Sequence, residues 1–196
     1  MRIIQLHNPI NFLTNQRRVP LDLYGKSSIF RLGAFRLVNQ KKKQIKVGFT
    51  QLITSGQDHM NTYFIMDLLG DNLEQVRTKF GNFNTAAILE TGQQMILLLK
   101  ELHNAQIIHR DIKPENFVVH HEKLYLIDFG LSKLVIQDGI HLEFRENKGM
   151  IGTARYASIN ALKGYEQSRR DDLESVGYLL IYFIHGNSTI EQCQRR

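Results

Sequence analysis

Two short runs carry side chains whose types and spacing could do chemistry together. The first is His109-Arg110-Asp111-Ile112-Lys113-Pro114-Glu115-Asn116; the second, twelve residues past Asn116, is Asp128-Phe129-Gly130. Asp111 offers a carboxylate that can accept the proton of an attacking hydroxyl. Lys113, two residues on, offers a compact cation that can reach a phosphate. Asn116 and Asp128 offer one amide oxygen and one carboxylate. That suffices for Mg²⁺, which takes oxygen ligands and keeps several of its waters. A base, a cation and two metal ligands are what phosphoryl transfer asks of a protein, because a loose transition state leaves mainly positioning and charge neutralisation to be done. Between the runs, Phe117–His120 and Lys123–Ile127 read as strands with a turn at His120-His121, a scaffold that would hold the two runs side by side.

The first run fits H-R-D-x-x-x-x-N and the second fits D-F-G, the catalytic-loop and metal-binding signatures of protein kinases. Either triplet alone recurs by chance, whereas their order and spacing together are specific. Lysine at position 113 resembles serine/threonine kinases rather than tyrosine kinases. His109 reads as a packing residue of the loop rather than a proton shuttle.

The elements that must position these runs are legible in part. Residues 1–43 hold no sustained period, are broken by Pro9 and Pro20, and read as a divergent or poorly ordered segment with a possible strand at Ile29–Leu37. Ile45–Phe49 with Gln51–Ile53 reads as one strand, Ser55–Asp58 as a turn and Thr62–Met66 as the next strand. Asn72–Phe80 reads as a short helix. Asn84 can cap a longer one, in which Ile88, Met95, Leu98, Leu99 and Leu102 recur at helical spacing and Gly92 is a mild weakness. Leu131–Gly152 is mixed in charge and aperiodic, as an activation loop would be. A last helix is expected over Asp171–Ile184, with Leu173, Val176, Leu179, Leu180 and Phe183 inward and His185-Gly186-Asn187 as its stop.

Composition bounds the class. The chain has 196 residues, 42% hydrophobic and 22% charged, enough for one large domain or two lobes. No apolar run approaches the ~18 residues of a membrane span. Cys193 is the single cysteine, so no internal disulfide exists, and a cytoplasmic or nuclear location is expected. The net charge of +6 sits upstream: ten Lys/Arg and four Asp precede Glu74, and the remainder balances. No base-reading motif accompanies that surplus, which reads as a solvated basic face; no nucleic-acid or membrane partner is expected.

Three further runs carry a closer resemblance: Arg145-Glu146-Asn147-Lys148, the stretch Gly152-Thr153-Ala154-Arg155-Tyr156-Ala157-Ser158-Ile159-Asn160, and Glu166-Gln167-Ser168-Arg169-Arg170-Asp171-Asp172-Leu173-Glu174-Ser175. With these the chain resembles the casein kinase 1 family of serine/threonine kinases over about Gln44–Asn187. The resemblance implies an α+β, two-lobed fold with a reduced β-rich N-lobe and a truncated, mainly helical C-lobe. It implies a partial catalytic domain at 44–187 and a non-family tail at 188–196. It also implies ATP and Mg²⁺ as cofactors and protein substrates with acidic or phosphorylated Ser/Thr sites, acted on by a monomer. By position, Met66 would stand at the back of the ATP pocket, the backbone of Asp67 and Leu69 would hold adenine, and Val118 would line the floor. Asp111 and Lys113 would be catalytic, Asn116 and Asp128 metal-binding. His109, Phe129 and Asp172 would anchor the loop, and Arg155 with Lys148 would bind a substrate anion.

The chain also departs from the family. It has no G-x-G-x-x-G, no glutamate before Glu74, and no convincing strand lysine, since Lys46 lies only 21 residues before Asp67. Leu134-Val135 replaces a basic pair. After the last helix, Ser188–Gln192 stands where the family continues with a Pro-Trp segment. An incomplete catalytic domain and weak turnover are therefore expected. The competing expectation is a catalytically inactive chain that binds nucleotide or a partner.

Overall fold

A computed structural model of the chain describes residues 16–20, 48–50, 52–57, 62–137 and 139–186; the expectations for Ile29–Leu37, Ile45–Val47 and the 188–196 tail lie outside them. The N-terminal part is an antiparallel sheet of β1 (Gln16–Pro20), β2 (Leu52–Gln57) and β3 (Thr62–Asp67), ordered β1-β3-β2. β1 lies in the stretch that shows no period, and it pairs from Gln16 opposite Asp67 to Pro20 opposite Tyr63. The turn expected at Ser55–Asp58 is corrected: Ser55, Gly56 and Gln57 belong to β2, opposite Phe64, Tyr63 and Thr62. Pairing across the sheet overrides the local turn chemistry of Ser-Gly-Gln. Phe49 is likewise not continuous with β2. It makes a separate parallel bridge to Leu126, and the Leu126 amide donates to the Gly48 carbonyl at 2.8 Å. Gly48 has φ +83°, and a Cβ there would lie 2.0 Å from Leu98 Cδ2, so the close approach requires glycine.

Helix α1 (Leu73–Phe80) starts at Asn72, whose side chain accepts from the Gln75 amide while Gln75 returns to the Asn72 amide. Helix α2 (Thr85–Asn104) starts at Asn84, which accepts from the Ala87 amide. Its apolar stripe is core: Met95, Leu99 and Leu102 are fully buried. Each such side chain contributes about 1.5–3 kcal/mol when withdrawn from water. The chain then passes through β4 (Ile107–Ile108), the hairpin β5–β6 (Phe117–His120, Lys123–Leu126), the short strands β7 (Lys133–Leu134), β8 (Ile136–Gln137) and β9 (Ile140–His141), and a four-residue helix α3 (Ile159–Leu162). The last helix of the described residues is α4 (Arg169–His185).

Helices α2 and α4 pack against each other. Gly92 lies at the contact, where a Cβ would come within 3.2 Å of Leu180 Cδ1 and the leucine would have to shift by a few tenths of an ångström. α4 begins two residues before the expected start, and one inward assignment is corrected. Leu173 is 45% exposed, while Asp171 and Asp172 beside it are buried. Those two carboxylates turn inward to make hydrogen bonds, which fixes the phase of the first turn and leaves Leu173 outside. Val176, Leu179 and Phe183 are in the core, and Leu180 packs against it. The fold is thus α+β, with strands first and a helical body after.

Candidate active site

The backbone of the His109–Asn116 run is hung on one carboxylate. Asp172, on the first turn of α4 and 2% exposed, accepts the His109 amide at Oδ2 and the Arg110 amide at Oδ1, both at 2.9 Å. His103 Nε2 of α2 meets the same Oδ2 at 2.8 Å. Arg110 takes φ +67°, a strained value for a residue with a side chain. Asp172 satisfies the two amides that lead into the bend, which stabilises that conformation. Ile107, Ile108 and Ile112 are buried on either side. The His109 ring is fully buried: its Nδ1 accepts the Asp111 amide at 3.3 Å, so Nε2 carries the proton and donates to the Ile127 carbonyl at 3.1 Å. Phe129, 2% exposed, packs edge-on to that ring at 5.4 Å and against Phe49 at 5.9 Å.

The reacting groups converge on Asp111, which is 7% exposed. Lys113 Nζ lies 2.7 Å from Oδ2, and the Thr153 hydroxyl donates to Oδ1 at 2.8 Å. Burial works to raise the Asp111 carboxyl, but Lys113 and Thr153 outweigh it and hold the group below its ordinary value. It is therefore ionised at neutral pH, as a proton acceptor must be. Thr153 has no role in the sequence reading, although it lies inside the Gly152–Asn160 run. Gly152 explains its position: with φ +103°, a Cβ there would sit 2.4 Å from the Arg110 carbonyl oxygen.

The residues present fit a divalent cation. Asn116 donates through Nδ2 to the Asp111 carbonyl at 2.8 Å, with a longer contact to Asp111 Oδ2 at 3.4 Å. That fixes the amide orientation and leaves its oxygen as an acceptor. The Ile127 amide donates to the Asn116 carbonyl at 2.9 Å, which sets Asn116 beside the start of Asp128-Phe129-Gly130. Asp128 is exposed, at φ +59°, and uses one oxygen to accept the Gly130 amide at 3.2 Å. Its other oxygen and the Asn116 amide oxygen would be the hard donors for Mg²⁺, which keeps several of its waters.

A shallow surface depression is lined by Met66, Asp67, Leu69, Gly70, Val118 and Ile127. The four residues expected at the nucleotide base are thus brought together, and Gly70 and Ile127 join them. Gly70 is there because the 67–72 stretch lies along β5: its amide donates to the Val119 carbonyl at 3.1 Å, and a Cβ on it would come within 2.3 Å of that oxygen.

The two cations expected to read a substrate anion differ in setting. Lys148 Nζ is 2.6 Å from Glu166 Oε2, so its charge is already paired. Arg155 is exposed and hydrogen-bonded to Tyr156. Glu166 opens the Glu166–Ser175 run and carries no assigned role in the sequence. Its pairing with residues far away in the chain leaves no local signal.

The model of the protein kinase domain family matches residues 40–196. A probable casein kinase I homolog of Encephalitozoon cuniculi (strain GB-M1) is 46% identical over 127 residues, covering 62% of this chain and 42% of that relative. The chain therefore spans well under half the length of the relative it matches. The kinase-domain match, over most of its residues, places this chain in the protein kinase family, and its stretch of 46% identity is to a probable casein kinase I homolog.

Proposed function

We propose that the chain is a serine/threonine protein kinase that moves the γ-phosphate of Mg·ATP to Ser/Thr hydroxyls of acidic or already phosphorylated protein substrates. The observation that carries this is the Asp111 carboxylate, ionised, buried and clamped between Lys113 and Thr153. When bound, Mg²⁺ would neutralise the phosphate oxygens from Asp128 and Asn116. Asp111 orients the incoming hydroxyl and takes its proton. Lys113, close enough to Asp111 to be released toward a transferred phosphate, supplies mobile positive charge. Met66, Asp67, Leu69 and Val118 would seat the adenine. Lysine at 113 and the family resemblance support Ser/Thr rather than Tyr as acceptor.

The substrate preference rests on Arg155. A charge-assisted contact contributes about 1.5–3 kcal/mol, or roughly tenfold and upward in specificity. Arg155→Ala is expected to lower kcat/KM on peptides with an acidic or phosphorylated residue upstream of the acceptor, and to leave neutral peptides unchanged. Equal loss on both peptide sets would assign Arg155 a structural role and remove the basis for acidic selection.

A further inference from the structure

Three cations from three separate segments meet at one carboxylate. Glu166 Oε1 lies 3.7 Å from Arg110 of the catalytic loop. Its Oε2 lies 3.2 Å from Lys133 of β7 and 2.6 Å from Lys148 of the segment that follows β9. The Glu166 side chain is 4% exposed, whereas Lys133 and Lys148 are each 32% exposed. One buried negative charge thus gathers three positive ones, and without it they would repel one another across a few ångströms.

The backbone around this cluster is stitched in the same place. The Lys148 amide donates to the Gly164 carbonyl, and the Glu166 amide to the Arg145 carbonyl, both at 2.8 Å. Gln167 Nε2 donates to the Ile151 carbonyl at 2.8 Å. Gly164, at φ +75°, lets the two segments touch, since a Cβ would meet the Lys148 carbonyl oxygen at 2.4 Å. Gly152 and Thr153, which rest on Arg110 and Asp111, lie at the end of the same segment. Arg110 is also held by its Nε, which donates to the Leu131 carbonyl at 2.6 Å.

We propose that Glu166 is a positioning residue: an internal counter-ion that holds residues 145–153 against the catalytic loop, so that Thr153 and Gly152 set the Asp111 carboxylate. In kinases such segments are ordered when an anionic group is set against a cation. Here the anion is a carboxylate of the chain itself. The consequence for turnover rests on the kinase reading above; the ordering of the segment does not.

The test is hydrogen exchange on the full chain, read by mass spectrometry, which needs no turnover. Glu166→Gln should speed exchange of amides in 145–153 by about tenfold or more, while amides of α2 keep their protection. Millimolar inorganic phosphate should restore protection in that variant, because an external anion can take the vacated place among three cations. Unchanged exchange would overturn the proposal. Loss that phosphate does not reverse would also overturn it, since packing rather than charge would then be at stake. Should Glu166→Gln fail to fold, Lys148→Met decides: it should loosen 145–153 with no response to phosphate, and unchanged exchange would sink the idea. Where turnover is measurable, Glu166→Gln should lower kcat with KM for Mg·ATP little changed, and a phosphate-dependent rise in kcat should follow the exchange data.

Discussion

The catalytic loop and the segment that lies over it are held by different physics. His109–Asn116 is fixed by buried isoleucines and by backbone amides donated to Asp172. Residues 145–153 bury little: Met150 is 43% exposed, and Phe144 just upstream is 56% exposed. They are held by turns, a few backbone bonds and the charges gathered on Glu166. The loop that carries Asp111 and Asn116 is therefore built to be indifferent to solvent conditions. The segment that trims the geometry of Asp111 is built to respond to them.

The largest effect should come from the loop's anchor. Asp172→Ala strands the His109 and Arg110 amides and His103 at once, and each buried donor left without a partner costs about 1–3 kcal/mol. Against a typical total of 5–15 kcal/mol, urea titration should show a large drop in midpoint or an unfolded chain. A change below about 1 kcal/mol would mean that the loop does not hang on Asp172.

The next effect separates the two regions by pH and salt. Burial alone would raise the Glu166 carboxyl, yet Lys148 and Lys133 hold it below its ordinary value. A carboxylate depressed in the folded state contributes its stability above the unfolded value, about 4.3 for Glu. It loses that stability as pH falls through the lower folded value. Acidification below about pH 4 should therefore loosen 145–153. At 1 M salt, where the screening length is ~3 Å, exchange in 145–153 should rise several-fold at neutral pH, with the His109 and Arg110 amides unmoved. Equal responses in both regions would erase the comparison. The smallest effect is at Glu143, whose 3.3 Å pair with Arg145 is solvent-exposed; Glu143→Gln should shift stability by less than about 0.5 kcal/mol.

What was legible in the sequence follows the same division. The two catalytic runs, the caps at Asn72 and Asn84 and the Met95–Leu102 stripe are local signals, and each sits where residue type and spacing put it. What escaped is non-local. β1 carries Arg17-Arg18 and ends at Pro20, and only its partner β3, more than forty residues away, makes it a strand. Ser55-Gly56-Gln57 reads as a turn until β3 is beside it. Leu173 looks like core by period, but two buried carboxylates claim that turn. His103 and Asp172 are 69 residues apart, and nothing in either neighbourhood announces their pairing.

The central claim is that Asp111 does the chemistry while Asp128 and Asn116 hold the metal. One experiment separates those roles: Mg²⁺-dependent ATP binding by calorimetry, together with γ-phosphate transfer to an acidic peptide, for the parent chain, Asp111→Asn and Asp128→Asn. Asp111→Asn should bind Mg·ATP nearly as the parent does and transfer no phosphate. Asp128→Asn should lose the Mg²⁺-dependent part of binding, and transfer with it. Near-parental transfer by Asp111→Asn, or Mg²⁺-dependent binding untouched in Asp128→Asn, would contradict the account.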